Sequence, residues 1–343
     1  MQDVLHFTIT GIVNETTECK TFYLQPDEPF SYRAGQFLSF IFKRDGREIR
    51  RSYSFSSSPD VDDFVSITIK RTVNGEMSRW WMNEASIGST LTSLFPAGKF
   101  TIDWQVKPRD IFLAAAGSGI TPLFSIIKSA LINEPQSRIH LVYSNSNLQS
   151  TIFYQQLENL SSQYSQQLNT TWLFSNAPNI FDARLGTFNL QRIIEKNLQY
   201  SKEDALVYTC GPYNYMLMVQ ITCRSMGISP QNIRKELFDI VDTSSAEQKY
   251  FDKNDRQIVI KYHKNEYMLM VPYNQSILTA ALQKGIELPF SCRAGRCSTC
   301  LCKVLNGTVW MHNNEVLTDE DILKGYALTC TGHPASEHVV IEI

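Results

Sequence analysis

Cys292-Arg-Ala-Gly-Arg-Cys297-Ser-Thr-Cys300, with Cys330 far behind it, is the stretch on which the reading of this 343-residue chain turns. The spacing is C-x4-C-x2-C with a distant fourth cysteine, a ligand pattern for a [2Fe–2S] centre. Small residues between the thiols let one loop wrap a cluster and aim backbone N–H groups at the sulfurs. Soft thiolates are also the ligands such centres take. Residues 292–302 hold four of the chain's eight cysteines, which argues for a metal or redox site rather than a disulfide framework. Zinc competes for the same residues, because Cys297-x2-Cys300 and Cys330-x2-His333 have zinc-like spacing at each end. That reading leaves Cys292 unused and sets its halves unusually far apart, so iron–sulfur is preferred. Cys302 falls outside the pattern and is read as a non-ligand, and the scattered Cys19, Cys210 and Cys223 as small buried residues. A centre that moves one electron at a time implies a chain that handles electrons.

Around that loop the chain divides into blocks, and its length sets a prior of two or three domains. Residues 256–343 hold the cysteines, predicted strands at 257–262, 267–271, 302–305 and 339–343, and a helix over 277–284 that Gly285 stops. Residues 240–255 are polar and aperiodic and read as a linker. In residues 105–239 strands alternate with helices, beginning with an apolar strand at 111–116 and a helix at 122–131. That alternation predicts a doubly wound α/β domain on a parallel sheet. Residues 1–104 read as short strands with turn signals between them, as in a small antiparallel barrel, with one helix within 75–85.

Two further motifs carry chemistry. Gly117-Ser-Gly-Ile-Thr-Pro122 follows the apolar strand directly, so Gly117 and Gly119 let the backbone approach a diphosphate. Thr121 is expected to cap the helix, with Pro122 in its first turn. An ordinary strand–helix turn is nearly as good a reading of that motif alone. Cys210-Gly211-Pro212 ends the last predicted parallel strand, where ligands sit in open α/β sheets, and together the two indicate a nicotinamide dinucleotide site. In the barrel block, Arg51-Ser52-Tyr53-Ser54 offers a guanidinium for a diphosphate, a ring for an isoalloxazine face and a hydroxyl for its N5. Strand alternation sets Tyr53 and Ser54 on opposite faces, so both reach one ligand only if the strand ends or twists there.

Arg33-Ala-Gly-Gln-Phe37, Arg51-Ser-Tyr-Ser54, Gly75-Glu-Met-Ser78, Pro96-Ala-Gly-Lys-Phe100, Gly117-Ser-Gly-Ile-Thr-Pro122 and Cys210-Gly-Pro212 stand in that order, with the cysteine loop behind them. In this the whole chain resembles the ferredoxin–NADP reductase superfamily with a plant-type ferredoxin fused at its C-terminus. The doubled Arg50-Arg51 and Glu236-Leu-Phe238 bring it nearest to reductase components of the phenylacetyl-CoA epoxidase type. The resemblance implies an antiparallel β-barrel flavin domain, a doubly wound α/β nucleotide domain and a β-grasp (α+β) ferredoxin domain. It implies that Arg51 holds flavin phosphates, Tyr53 packs on the ring, Ser54 approaches N5, and Thr68 and Lys70 line the flavin. Gly75, Met77 and Ser78 would offer N–H groups to the diphosphate, which favours FAD over FMN. Thr121 would face the flavin–nicotinamide junction, and Glu236 and Phe238 would stand near the flavin. Cys292, Cys297, Cys300 and Cys330 would hold the cluster.

Ser144-Asn-Ser-Asn147 stands where related reductases often carry an arginine for a 2′-phosphate, which favours NADH over NADPH, with Arg184 an alternative source of charge. Trp80 and Trp81 read as core, the six histidines as scattered, and Thr318-Asp-Glu-Asp321 as a helix cap rather than a docking patch. The net charge of −2 gives no reason to expect nucleic acid or an anionic membrane. No apolar run approaches a membrane span, the N-terminus lacks signal-peptide character, and the expected setting is the cytoplasm. The implied activity passes electrons from NADH or NADPH through FAD and the cluster to a partner oxygenase, hydroxylase or desaturase. The alternatives are a reductase of a hybrid-cluster or other metalloprotein, or a zinc-stabilised, non-catalytic interaction protein.

Overall fold

The computed structural model describes residues 4–44, 46–72, 75–179, 183–238, 254–295 and 297–343. The expected linker at 240–255 lies outside these apart from its last two residues.

Residues 4–94 build a six-stranded antiparallel sheet from β1 (Val4–Thr16), β2 (Cys19–Pro26), β3 (Phe37–Arg44), β4 (Arg47–Ser54), β5 (Val65–Lys70) and β6 (Thr90–Leu94). The strand order is β4-β3-β6-β1-β2-β5, and a bridge between Phe55 and Ile67 ties its two ends together. Alternation drives this: Leu5, Phe7 and Ile9 in β1 are all buried and face Phe22, Phe40 and Trp81 inside. The one helix, α1 (Glu76–Asn83), closes the barrel with the fully buried Trp81.

The second layer is an all-parallel sheet of β7 (Asp110–Ala116), β8 (Arg138–Asn145), β9 (Leu168–Phe174), β10 (Leu206–Cys210) and β11 (Ile233–Glu236) in the order β11-β10-β7-β8-β9. Helices α2 (Ile120–Asn133), α3 (Tyr154–Gln163), α4 (Thr187–Asn197) and α5 (Tyr213–Ser225) connect its strands. The chain runs outward one way from β7 and then returns to place β10 on its other side. The switch point therefore falls between the carboxyl ends of β7 and β10, the crevice where ligands bind in such sheets. Strand β7 is a continuous apolar run because both its faces are covered. Helix α2 is buried almost all round, since it sits between the sheet and the barrel.

The third unit has β12 (Arg256–Tyr262), β13 (Asn265–Val271), α6 (Ile277–Gln283), β14 (Leu301–Asn306), β15 (Val309–Met311), α7 (Asp319–Leu323), β16 (Tyr326–Leu328), β17 (Gly332–Pro334) and β18 (Val339–Glu342). Its five-stranded sheet, β13-β12-β18-β14-β16, packs under α6 around Ile258, Ile260, Leu278 and Ile341. The three expected architectures are present. The short strands β6, β11, β15, β16 and β17 were not legible, because three to five residues carry too little pattern.

One local expectation fails. Gly117–Gly119 form a turn of 3-10 helix that runs directly into α2, so Thr121 lies inside the helix. Its hydroxyl donates to the Ser118 carbonyl at 2.9 Å and caps nothing. At the other predicted cap, Thr318 accepts from the Asp321 N–H at 3.2 Å, as read.

Candidate active site

Three cavities lie in series, beginning at the switch point. The first, about 370 Å3, is lined by Gly117, Gly119, Ser144, Asn145, Gly211 and Pro212, among others. Glycine is required at two of these positions. Gly117 has φ +54°, and a Cβ on Gly119 would stand 2.1 Å from the Cys210 carbonyl oxygen. The α2 N-terminus and the carboxyl ends of β7, β8 and β10 thus converge on one crevice suited to a dinucleotide. Lys70 is its one lining cation among the described residues, beside Gly117, and so the structure puts Lys70 at this cavity rather than the flavin cavities. Arg184 is not among the lining residues. The Cys210 side chain is wholly buried in the core, leaving Gly211 and Pro212 to face the crevice.

The second cavity, about 160 Å3, brings the barrel's Arg51, Ser52 and Ser54 together with Glu236, Phe238 and, from the cysteine loop, Cys292 and Cys297. Phe238 borders both this cavity and the first. Ser54 ends β4, and its hydroxyl donates to Glu236 Oε2 at 3.0 Å. Glu236 ends β11 and is buried, which pushes its carboxyl up to about 8, with the Ser54 hydrogen bond opposing. A carboxyl so placed holds a proton near neutral pH in the cavity it shares with Cys292 and Cys297.

The third cavity, about 490 Å3, lies on the other side of Arg51 and is cationic on balance, with Arg44, Arg50 and Arg293 alongside Glu48 and Glu76, Arg50 being paired to Glu48 at 2.7 Å. The first N–H groups of α1, at Glu76, Met77 and Ser78, have no intrahelical acceptor. Gly75 is needed there, since a Cβ would come within 1.9 Å of Thr72 Oγ1. The Ser78 hydroxyl is bound to Thr72 Oγ1 at 2.8 Å, so its backbone is what remains for a ligand. Four arginines and a helix N-terminus fit a diphosphate. Of these four, sequence reading found only Arg51 as a ligand. Arg44 lies in a segment without a motif of its own, and Arg293 sits inside the cysteine loop, where the thiol spacing carried the reading.

Two expected flavin contacts do not lie in these cavities. Tyr53 is half-buried and lies against the barrel core, 5.7 Å from Trp81 and 6.1 Å from Phe40 between ring centroids, because alternation turns it away from Ser52 and Ser54. The Thr68 hydroxyl is engaged with Ser56 and Thr21, both at 2.8 Å, inside a chain of buried hydroxyls.

The four cysteines converge. Cys292 contacts Cys297, and Cys330 contacts both Cys292 and Cys300. Those neighbouring thiols hold Cys297 and Cys330 well above the ordinary thiol range and Cys300 below it. Four thiols this close ionise together only around a cation, and the Cys292 and Ala294 N–H groups already point at loop sulfurs at 3.4 Å. The set fits a thiolate-bound cluster. Cys302 is buried, and burial raises its thiol, with the neighbouring Cys300 adding to the rise. Cys19, Cys210 and Cys223 are likewise buried.

Residues 7–102 match an oxidoreductase FAD-binding domain, 113–222 an oxidoreductase NAD-binding domain and 261–335 a 2Fe-2S iron-sulfur cluster binding domain. The chain is 33% identical to the ferredoxin reductase component of 3-ketosteroid-9-alpha-monooxygenase from Rhodococcus rhodochrous, covering 98% of this chain and 95% of that one. It is 30% identical to a 1,2-phenylacetyl-CoA epoxidase subunit from Escherichia coli (strain K12), over 98% and 96%. Its fold matches phthalate dioxygenase reductase with a TM-score of 0.60 at 21% identity, over 99% and 98%.

Proposed function

The chain belongs to the ferredoxin–NADP reductase superfamily, in the branch with a C-terminal [2Fe–2S] domain, and we propose that it is the reductase component of an oxygenase system. When bound, NAD(P)H, FAD and the cluster supply hydride transfer and its division into single electrons. The protein's part is position. Gly117, Gly119 and Gly211 would admit the dinucleotide, Arg51 and the α1 N-terminus would hold the flavin diphosphate, and Phe238 borders both the first and the second cavity. Ser54 fixes the Glu236 carboxyl, which stores a proton beside the flavin ring. Cys292, Cys297, Cys300 and Cys330 hold the cluster. The observation that carries the reading is the cavity that joins Ser54 and Glu236 to Cys292 and Cys297, so the flavin and cluster sites are adjacent within one chain.

NADH is the proposed donor, because no arginine lines the nucleotide cavity near Ser144 and Asn145, where a 2′-phosphate would need one. Among the described residues no helix is long and apolar enough to cross a membrane. We place the protein in the cytoplasm because Cys19, Cys223 and Cys302 are buried thiols outside any disulfide. Phenylacetate degradation, a finer assignment, rests on the epoxidase relative.

Anaerobic titration with NADH and, separately, NADPH tests the reading. Bleaching of both flavin and iron–sulfur bands, at lower NADH than NADPH, is the expected result. A colourless protein carrying zinc would overturn it, and more efficient NADPH would overturn the donor assignment alone.

A further inference from the structure

The ferredoxin domain is seated on the other two at two places. One is at the cluster loop: Arg50 donates to the Phe290 carbonyl at 3.0 Å with its guanidinium 4.0 Å from that ring, and Ser52 and Ser291 share a hydrogen bond of 2.9 Å. The other lies around α7, where Asp321 takes Lys99 of the barrel domain on one carboxylate oxygen at 2.9 Å. Arg234 of β11 sits on the other oxygen at 3.0 Å. One carboxylate therefore ties all three domains together.

We propose that Asp321, clasped between Lys99 and Arg234, is a positioning residue for electron transfer, seating the cluster loop on the flavin site. This rests on the electron path proposed above. The carboxylate is fixed before it meets its partners. The Thr318 N–H and hydroxyl both donate to Oδ2, at 3.0 and 2.9 Å, and the Asp321 N–H returns a bond to Thr318. Burial opposes its charge, yet the Thr318 N–H, Lys99 and Arg234 together hold the carboxyl far below the usual range. Its side chain is only 11% exposed, while Lys99 at 21% and Arg234 at 24% still reach solvent, so added salt weakens the clasp. Lys99 also lies 3.7 Å from the centre of the Tyr326 ring, a second hold on the same domain.

No apolar core reinforces this seat. The hydrophobic cluster of the ferredoxin domain contains none of the described residues of the other two domains. Beside the clasp a groove of about 460 Å3 separates Arg224 and Lys235 on one wall from Glu315, Asp319 and Glu320 on the other. Opposite charges along the groove attract the two domains toward the same seat. The clasp supplies the fixing.

The test compares the holoprotein with Lys99→Met, which leaves the Thr318 cap untouched, with Arg234→Met, which also removes a 3.4 Å bond to the Thr318 hydroxyl, with the double variant, and with the conservative Asp321→Glu. After anaerobic mixing with NADH, flavin bleaching should keep its rate while cluster bleaching slows roughly fivefold per lost cation. Small-angle scattering should show a larger radius of gyration for the double variant, with flavin and cluster content unchanged. Asp321→Glu should retain most of the transfer rate. Unchanged cluster bleaching and radius in the double variant would overturn the proposal, as would equal slowing of both steps. If the wild-type cluster does not bleach at all, the electron path falls instead, and scattering still decides the seat.

Discussion

The two junctions of this molecule are built differently. Barrel and nucleotide domain share one hydrophobic core, in which Cys19, Ala34, Phe100 and Ile102 from one side pack with Ile111, Ile126 and Tyr208 from the other. Buried hydroxyls join them as well, Ser125 donating to the Ser57 carbonyl at 2.6 Å and Ser58 bonding Ser129 at 2.7 Å. The ferredoxin domain meets both through hydrogen bonds, a cation over a ring and ion pairs, with its own core closed off. The difference follows the chemistry. Hydride transfer needs reacting atoms held at roughly 3–3.5 Å, which calls for a rigid weld. A single electron crosses a longer gap than a hydride, so this junction can rest on polar contacts, which separate at lower cost than an apolar core.

The largest expected effect breaks the weld. Phe100 is buried with its ring 5.0 Å from Tyr208, and Phe100→Ala should cost about 3–5 kcal/mol. Urea unfolding followed by tryptophan fluorescence should show the reductase half melting early while the iron–sulfur absorbance persists. Loss of both signals at one shifted midpoint would show that the ferredoxin domain depends on the weld, against the comparison.

A second test addresses the point where all three domains meet. The Glu236 carboxyl is raised from 4.5 to about 8, so the folded protein binds a proton there that the unfolded chain has lost. Its contribution to stability is full below pH 4.5 and declines as pH rises to about 8. Glu236→Gln should therefore gain on the wild type over that window, by on the order of a few kcal/mol, as read from urea midpoints at pH 5 and pH 9. Parallel curves would mean that the carboxyl is ionised throughout.

Much of this was legible in the sequence, and the gaps have physical causes. The cysteine loop and the glycine turns are local devices whose spacing is their function, so they survive without a structure. The apolar β7 and the turn after it likewise place the nucleotide crevice. Tyr53 was harder: its neighbours Ser52 and Ser54 reach the second cavity, but the pleat sends the ring inward to Trp81. Thr68 was lost to a chain of buried hydroxyls that no motif announces. Asp321 is the clearest case, since the helix cap was readable from four residues. Its partner Lys99 is 222 positions away and Arg234 is 87 positions away, and separations of that size leave no local trace.

The most direct test of the contrast between weld and clasp is anaerobic stopped-flow with saturating NADH at low and high ionic strength, following flavin and iron–sulfur absorbance together. Flavin bleaching should hold its rate while cluster bleaching slows as salt rises. Cluster bleaching that ignores salt, or slows only in step with the flavin, would contradict that contrast.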